Sequence, residues 1–154
     1  MKNIVFAIAV MFFALTGCKK EETCDDIIDA APASEVEALH KYILDNKIDA
    51  EKHEKGFYYK IQTPGTGNHP TACSDINVNY KGELTNGTVF DQSNDVDFKL
   101  GGLIKGWKAG IPLIAQGGKI TLYLPPSMGY GSKGTGGIPG NAILIFSIDL
   151  VKVY

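Results

Sequence analysis

From residue 56 onward the chain sets apolar residues at every second position and then interrupts them with glycine or proline. Ile76, Val78 and Tyr80 alternate with Asn77, Asn79 and Lys81. Val96, Phe98 and Leu100 repeat the pattern, as do Ile120, Leu122 and Leu124. The longest run places Ala142, Leu144, Phe146, Ile148 and Leu150 on one side. A period of two puts these residues on one face of a pleated strand, and polar alternates on the other face mark half-buried antiparallel strands. Phe57 to Ile61 adds a further strand-like run before Pro64-Gly65-Thr66-Gly67. Asn86-Gly87 between β-forming residues predicts a hairpin with a type I′ turn. With 18 glycines, 7 prolines and 44% hydrophobic residues, the composition suits short strands, tight turns and a real core. One helix is expected within this region, over residues 103–114, where Ile104, Trp107, Ile111 and Ile114 recur at helical spacing. Pro112 would end it near Gly110 or kink it there. The expected fold class is α+β, an antiparallel sheet of about five strands curled over one short helix and preceded by a helical N-terminal extension.

The N-terminal third is written differently. Lys2 precedes a continuous apolar run over residues 4–15. Twelve residues are too few for a membrane span, which needs about 20, and suit the core of a secretory signal instead. Leu15-Thr16-Gly17-Cys18 then resembles a bacterial lipobox. That resemblance implies cleavage after residue 17 and a lipid, thioether-linked diacylglycerol plus an acyl chain such as palmitate, on Cys18. Lys19 follows where some bacteria use aspartate for inner-membrane retention, so the expected location is the cell envelope, lipid-anchored on the periplasmic side of the outer membrane. Residues 18–33 read as a polar tether. Ser34 and Glu37 have capping-box spacing, and Val36, Leu39 and Ile43 form one helical stripe, so residues 34–55 are read as a helical extension. A helix docked on the main domain is favoured over a dimerisation or client-holding arm, because its stripe is narrow.

Charge and metal-ligand patterns exclude several functions. The formal charge is −2, becoming −3 if residues 1–17 are lost with Lys2, and no basic stripe is present, which argues against nucleic acid. His40, His53 and His69 are dispersed, so neither a metal nor a cofactor is expected. With Cys18 lipidated, Cys24 and Cys73 would be left in an oxidising compartment. They are a candidate disulfide, but sequence gives no separation between them and leaves the pairing open. Gly129 to Gly134 fits GxGxxG, yet the Gly/Pro-rich continuation cannot form the helix a dinucleotide site requires.

An aromatic set with one acid runs through the strand-rich region: Tyr80 in VNYKG, Phe90 and Asp91 in GTVFD, Trp107 in IKGW, Tyr130 in MGYG and Phe146 in ILIFSIDL. Each has a plainer reading by itself. Trp107, Phe90 and Phe146 would serve as core, Tyr130 as a turn residue and Asp91 as a turn cap. In order and with compatible spacing, over residues 56–154, they resemble the FK506-binding-protein (FKBP) family of peptidyl-prolyl cis-trans isomerases. The resemblance implies that Tyr80, Phe90, Asp91, Trp107, Tyr130 and Phe146 are the catalytic set. Val96, Leu103, Ile104 and Ile138 are the implied substrate contacts. Trp107 would be the pocket floor, while the Ile104 N–H and Tyr130 hydroxyl would donate to substrate carbonyls. Proline-containing polypeptides are the implied clients, and FK506-like macrolides the implied inhibitors. Val96 replaces a larger wall residue, Gly137 removes one apolar loop contact, and Gly140 stands where the family's loop has a second proline. The expected function is therefore prolyl isomerisation assisting exported proteins. The alternative is a non-catalytic chaperone or assembly module with the same fold.

Overall fold

The computed structural model describes residues 28–154. The expected signal peptide, Cys18, Cys24 and most of the tether lie outside the described residues. Helix α1 spans Ala33–Asp45. It starts after Pro32, which is extended at φ −55° and ψ 142°, and no side chain caps it. The expected capping box therefore does not form, because Ser34 already lies inside the first turn. The helix does not continue to Gly56 either. Lys47 turns left-handed at φ 53°. Its N–H donates to the Leu44 carbonyl, and the Ile48 N–H to that of Ile43. This paired arrangement closes the last carbonyls and folds Ile48 back onto Ile43, so the chain leaves the helix there. Strand β1, Glu51–Lys52, comes next.

Strands β2 (Tyr58–Thr63), β3 (Asp75–Leu84), β4 (Val89–Lys99), β5 (Lys119–Leu124) and β6 (Leu144–Val153) complete the sheet. All neighbours are antiparallel, in the order β1-β2-β5-β6-β3-β4. The six strands contain the five that alternation marks, with β1 as the unforeseen one. Ile76, Val78, Ile120, Leu122, Leu124, Leu144, Phe146, Ile148 and Leu150 form the inner face and the core. Tyr58 points the other way, onto Leu39 and Ile43 of α1, with half-buried Tyr123 beside them. The extension is thus docked on the outer face. Burying Leu39 and Ile43 there contributes about 1.5–3 kcal/mol each, and the Tyr58 hydroxyl lies 2.7 Å from His40 Nδ1.

Helix α2 is short, Lys105–Gly110, and passes directly into a 3-10 turn at Ile111–Leu113 that accommodates Pro112. Gly106 and Gly110 lie one turn apart on its sheet-facing side. A Cβ on Gly106 would collide with the Leu124 side chain, and one on Gly110 would lie 2.6 Å from that of Leu122. Their bareness lets the helix backbone rest on β5. The β3–β4 hairpin forms where Asn-Gly predicts, but Gly87 alone has a positive φ of 82°. The loop is three residues closed by Leu84 N–H to Thr88 O at 2.9 Å, rather than a two-residue type I′ turn. Strand β4 also slips register twice, between the Val78 and Tyr80 pairings and between those of Gly82 and Glu83. Asp95 occupies the first irregularity at φ 53°.

Candidate active site

Between α2, the inner face of β3 and β6, and the loop after β5 lies a cavity of about 170 Å³ lined by Tyr80, Asp91, Phe98, Leu103, Ile104, Trp107, Tyr130 and Phe146. Trp107 is its centre. Buried on α2, its ring meets Tyr80 edge-on at 5.2 Å, Phe146 at 5.3 Å and Phe98 at 6.0 Å between centroids. Such near-perpendicular pairs each contribute roughly 0.5–1.5 kcal/mol beyond area burial, so the floor is held from three sides. The indole Nε1 is buried and has no hydrogen-bond partner among the described residues.

The walls follow from register. Tyr80 and Gly82 lie two apart on β3, and Gly82 pairs with Phe146 on one side and Asp91 on the other. A Cβ at Gly82 would stand 2.6 Å from the Phe90 ring and 2.9 Å from that of Phe146. The bare position lets those two rings meet above the strand, edge-on at 5.5 Å. Phe90 therefore supports the wall from behind Phe146 and does not line the cavity. Val96 packs against the core opposite Val78 without reaching the cavity, whereas Phe98, two residues on, fills that side. Ile138 is buried in the core cluster, with Thr135 paired across its small turn, and also stays off the cavity lining. Leu103 and Ile104 lie on the rim. The Ile104 N–H makes no hydrogen bond among the described residues.

The polar side is built from two tyrosines and one carboxylate. The Tyr80 hydroxyl donates to Asp91 Oδ2 at 2.7 Å. Burial, reinforced by that bond and by the carboxylate's charge, pushes its pKa up to about 12. Tyr130, 38% exposed, is also raised, first by burial and then by the charge of Asp91. Both phenols therefore remain protonated donors across the physiological range. No cluster of three or more histidine, cysteine or carboxylate groups suited to a metal occurs among the described residues. The site offers dry aromatic walls and a few hydrogen-bond donors, with no activated nucleophile in its lining. Sequence reading missed Phe98 as a wall. Its alternation with Val96, one step nearer the helix that carries Trp107, was the available signal.

Comparison with known proteins fits this geometry. The family model for FKBP-type peptidyl-prolyl cis-trans isomerases matches residues 67–151, more than half of the chain. The FKBP-type peptidyl-prolyl cis-trans isomerase FkpA of Aeromonas hydrophila is 39% identical over 111 residues, which cover 70% of this chain and 41% of that protein. FkpA of Escherichia coli K12 is 40% identical over 102 residues, 64% of this chain and 38% of that one. The chain thus spans about two-fifths of the length of these curated relatives. Among solved structures, the crystal structure of Escherichia coli FkpA superposes with a TM-score of 0.70 at 35% identity, over 79% of this chain and 58% of that one. A peptidyl-prolyl isomerase of Pseudomonas syringae gives 0.69 at 30% identity, over 82% and 98%.

Proposed function

We propose that this chain, which belongs to the FKBP-type peptidyl-prolyl cis-trans isomerase family, catalyses cis–trans exchange of X–Pro bonds in unfolded polypeptides. The observation that carries the reading is the enclosure of Trp107 by Tyr80, Phe98 and Phe146 beside two protonated tyrosines. Amide resonance holds an X–Pro bond planar with a barrier of about 18–20 kcal/mol. The twisted transition state has lost that resonance and part of its charge separation. A site that receives the proline ring over an indole and strips water from its amide disfavours the planar form relative to the twisted one. The Tyr130 hydroxyl and Ile104 N–H are the proposed donors to the flanking carbonyls. Asp91 orients Tyr80, and Leu103 completes the rim.

The same reading carries the finer assignments. Residues 56–154 are the proposed catalytic domain, residues 34–55 an extension packed on its back, residues 18–33 a tether and residues 1–17 a signal peptide. Cys18 is the proposed lipid attachment, placing the domain on the periplasmic side of the outer membrane. Among the described residues no helix is long and apolar enough to cross a membrane. Cys73 is disulfide-bonded, and Cys24 is its proposed partner. Clients are proline-containing exported proteins, and FK506-like macrolides are the proposed competitors.

Isomerisation of a proline tetrapeptide, measured with and without macrolide, tests the proposal. Rapid exchange that macrolide suppresses, and that Tyr130→Phe slows, is the expected result. A chain that prevents client aggregation yet leaves the exchange rate at its uncatalysed value would replace the enzyme reading with that of a chaperone module.

A further inference from the structure

We infer that Glu35, on the N-terminal helix, is a positioning residue for Tyr130. Its carboxylate reaches 92 residues along the chain, and Oε2 accepts the backbone N–H of Ser127 at 2.8 Å. Ser127 lies in a 3-10 turn at Pro126–Met128 that links β5 to the Tyr130 loop. Pro125 and Pro126 carry no N–H, so Ser127 offers the first donor of this turn, at an end where a turn has no internal acceptor for it. Glu35 is half-buried and supplies that acceptor.

The consequence lies in which peptide unit is held. The Ser127 N–H and the Pro126 carbonyl belong to one planar amide. The Pro126 carbonyl accepts from Gly129 at 2.9 Å and from Gly131 at 2.8 Å. These are the two residues flanking Tyr130. The Gly131 carbonyl in turn accepts the Asn141 N–H at 2.9 Å, which closes the loop that follows Tyr130. One amide plane therefore fixes both neighbours of the tyrosine, and a carboxylate from the extension fixes that plane. A donor engaged by a charged acceptor also polarises its own carbonyl and strengthens the bonds it receives. The loop has little to replace Glu35. The Ser127 Oγ, the polar group nearest in sequence, is buried and has no partner among the described residues. On this account the extension helps to shape the site, even though α1 packs on the opposite face of the sheet.

The inference rests on the isomerase reading, and its test separates the two. Glu35→Ala, Glu35→Gln, Tyr130→Phe and the double variant Glu35→Ala/Tyr130→Phe are made in the full chain, with Glu37→Ala as an exposed control on the same helix. Glu35→Ala is expected to lower kcat/KM about three- to tenfold, an effect of a weakened hydrogen-bond network. Glu35→Gln, which keeps an acceptor, restores most of the loss, and Glu37→Ala changes nothing. Once Tyr130 lacks its hydroxyl, Glu35→Ala should add almost no further loss, because both act through one group. Amide hydrogen exchange supplies a readout that does not need activity: Ser127 and Gly131 should exchange faster in Glu35→Ala, with β5 and β6 unchanged. Losses that multiply independently in the double variant, or exchange at Ser127 and Gly131 equal to wild type, would overturn the inference. If the wild type shows no isomerisation, the functional reading fails, and hydrogen exchange still decides whether Glu35 holds the turn. Should Glu35→Ala not fold, Glu35→Met, which keeps the side-chain length but offers no carboxylate or amide acceptor, takes its place beside Glu35→Gln, and exchange at Ser127 and Gly131 as slow in Glu35→Met as in Glu35→Gln counts against the inference.

Discussion

Replacing Asp91 with alanine probes how the polar side of the pocket is held. In the folded chain the Tyr80 phenol has a pKa of about 12, raised by burial and then by its bond to Asp91, against an ordinary value of 10.0. Because the folded value lies above the unfolded one, the associated stabilisation is complete below about pH 10 and is lost as pH rises towards 12. Two units would correspond to about 2.7 kcal/mol for a fully shielded group. Asp91 is exposed and Tyr80 only partly covered, so screening reduces the figure to about 1 kcal/mol. Asp91→Ala leaves the burial in place and removes the bond and the charge, so its phenol titrates at lower pH than in the wild type. Denaturant unfolding of both proteins from about pH 8 to about pH 11.5 measures the difference. Because burial, the largest cause of the shift, is common to both proteins, the wild type should be more stable by only part of that figure, about 0.5 kcal/mol, at the lower end, and the gap should narrow above pH 10. Lysine titration is common to both proteins and cancels. A gap that is absent, or that stays constant across the range, would refute the assigned bond. Isomerase activity at neutral pH should fall as well, since the Tyr80 ring would lose the contact that fixes it edge-on to Trp107.

Other substitutions separate lining from support. Trp107→Phe should keep the fold and much of the activity, because the lost indole N–H leaves no partner unsatisfied, whereas Trp107→Ala should cost about 3–5 kcal/mol in thermal or denaturant unfolding. Phe98→Ala should weaken macrolide binding about tenfold, or about 1.4 kcal/mol, while Val96→Ala leaves it nearly unchanged; isothermal titration calorimetry reads both. Gly106→Val should drive α2 away from Leu124 and cost about 1–3 kcal/mol, lowering the thermal midpoint and the isomerisation rate together.

Strand identity and the aromatic set were legible because alternation is a local signal that survives without knowledge of neighbours. Ile76, Val78, Leu144 and Phe146 declare their faces by spacing alone, and the order of Tyr80, Asp91, Trp107 and Tyr130 points to one site. The features that stayed hidden depend on partners far along the chain. Val96 and Phe98 share a face and a chemistry; the registers of β3 and β4, with their irregularities, decide which of them reaches Trp107. The helix stop at Lys47 was equally hidden, because a lysine at φ 53° carries no sequence signature comparable to glycine. It is set by the return of Ile48 to Ile43. The bond from Glu35 to Ser127 joins residues that no local pattern connects, and Ser34-Glu37 offered a plausible but unused alternative.

The borders of the sheet bear on the company this protein would keep. A polypeptide that handles unfolded chains meets segments eager to add themselves as a further strand. One border here is β1, two residues long, too short to template such an addition. The other is β4, whose register slips twice and whose exposed residues include Asp91, Asp95 and Asp97. Irregular, charged borders deny an incoming strand the straight row of amides it would need. The slips that break the β3–β4 register thus also guard this border against the addition of a stray strand.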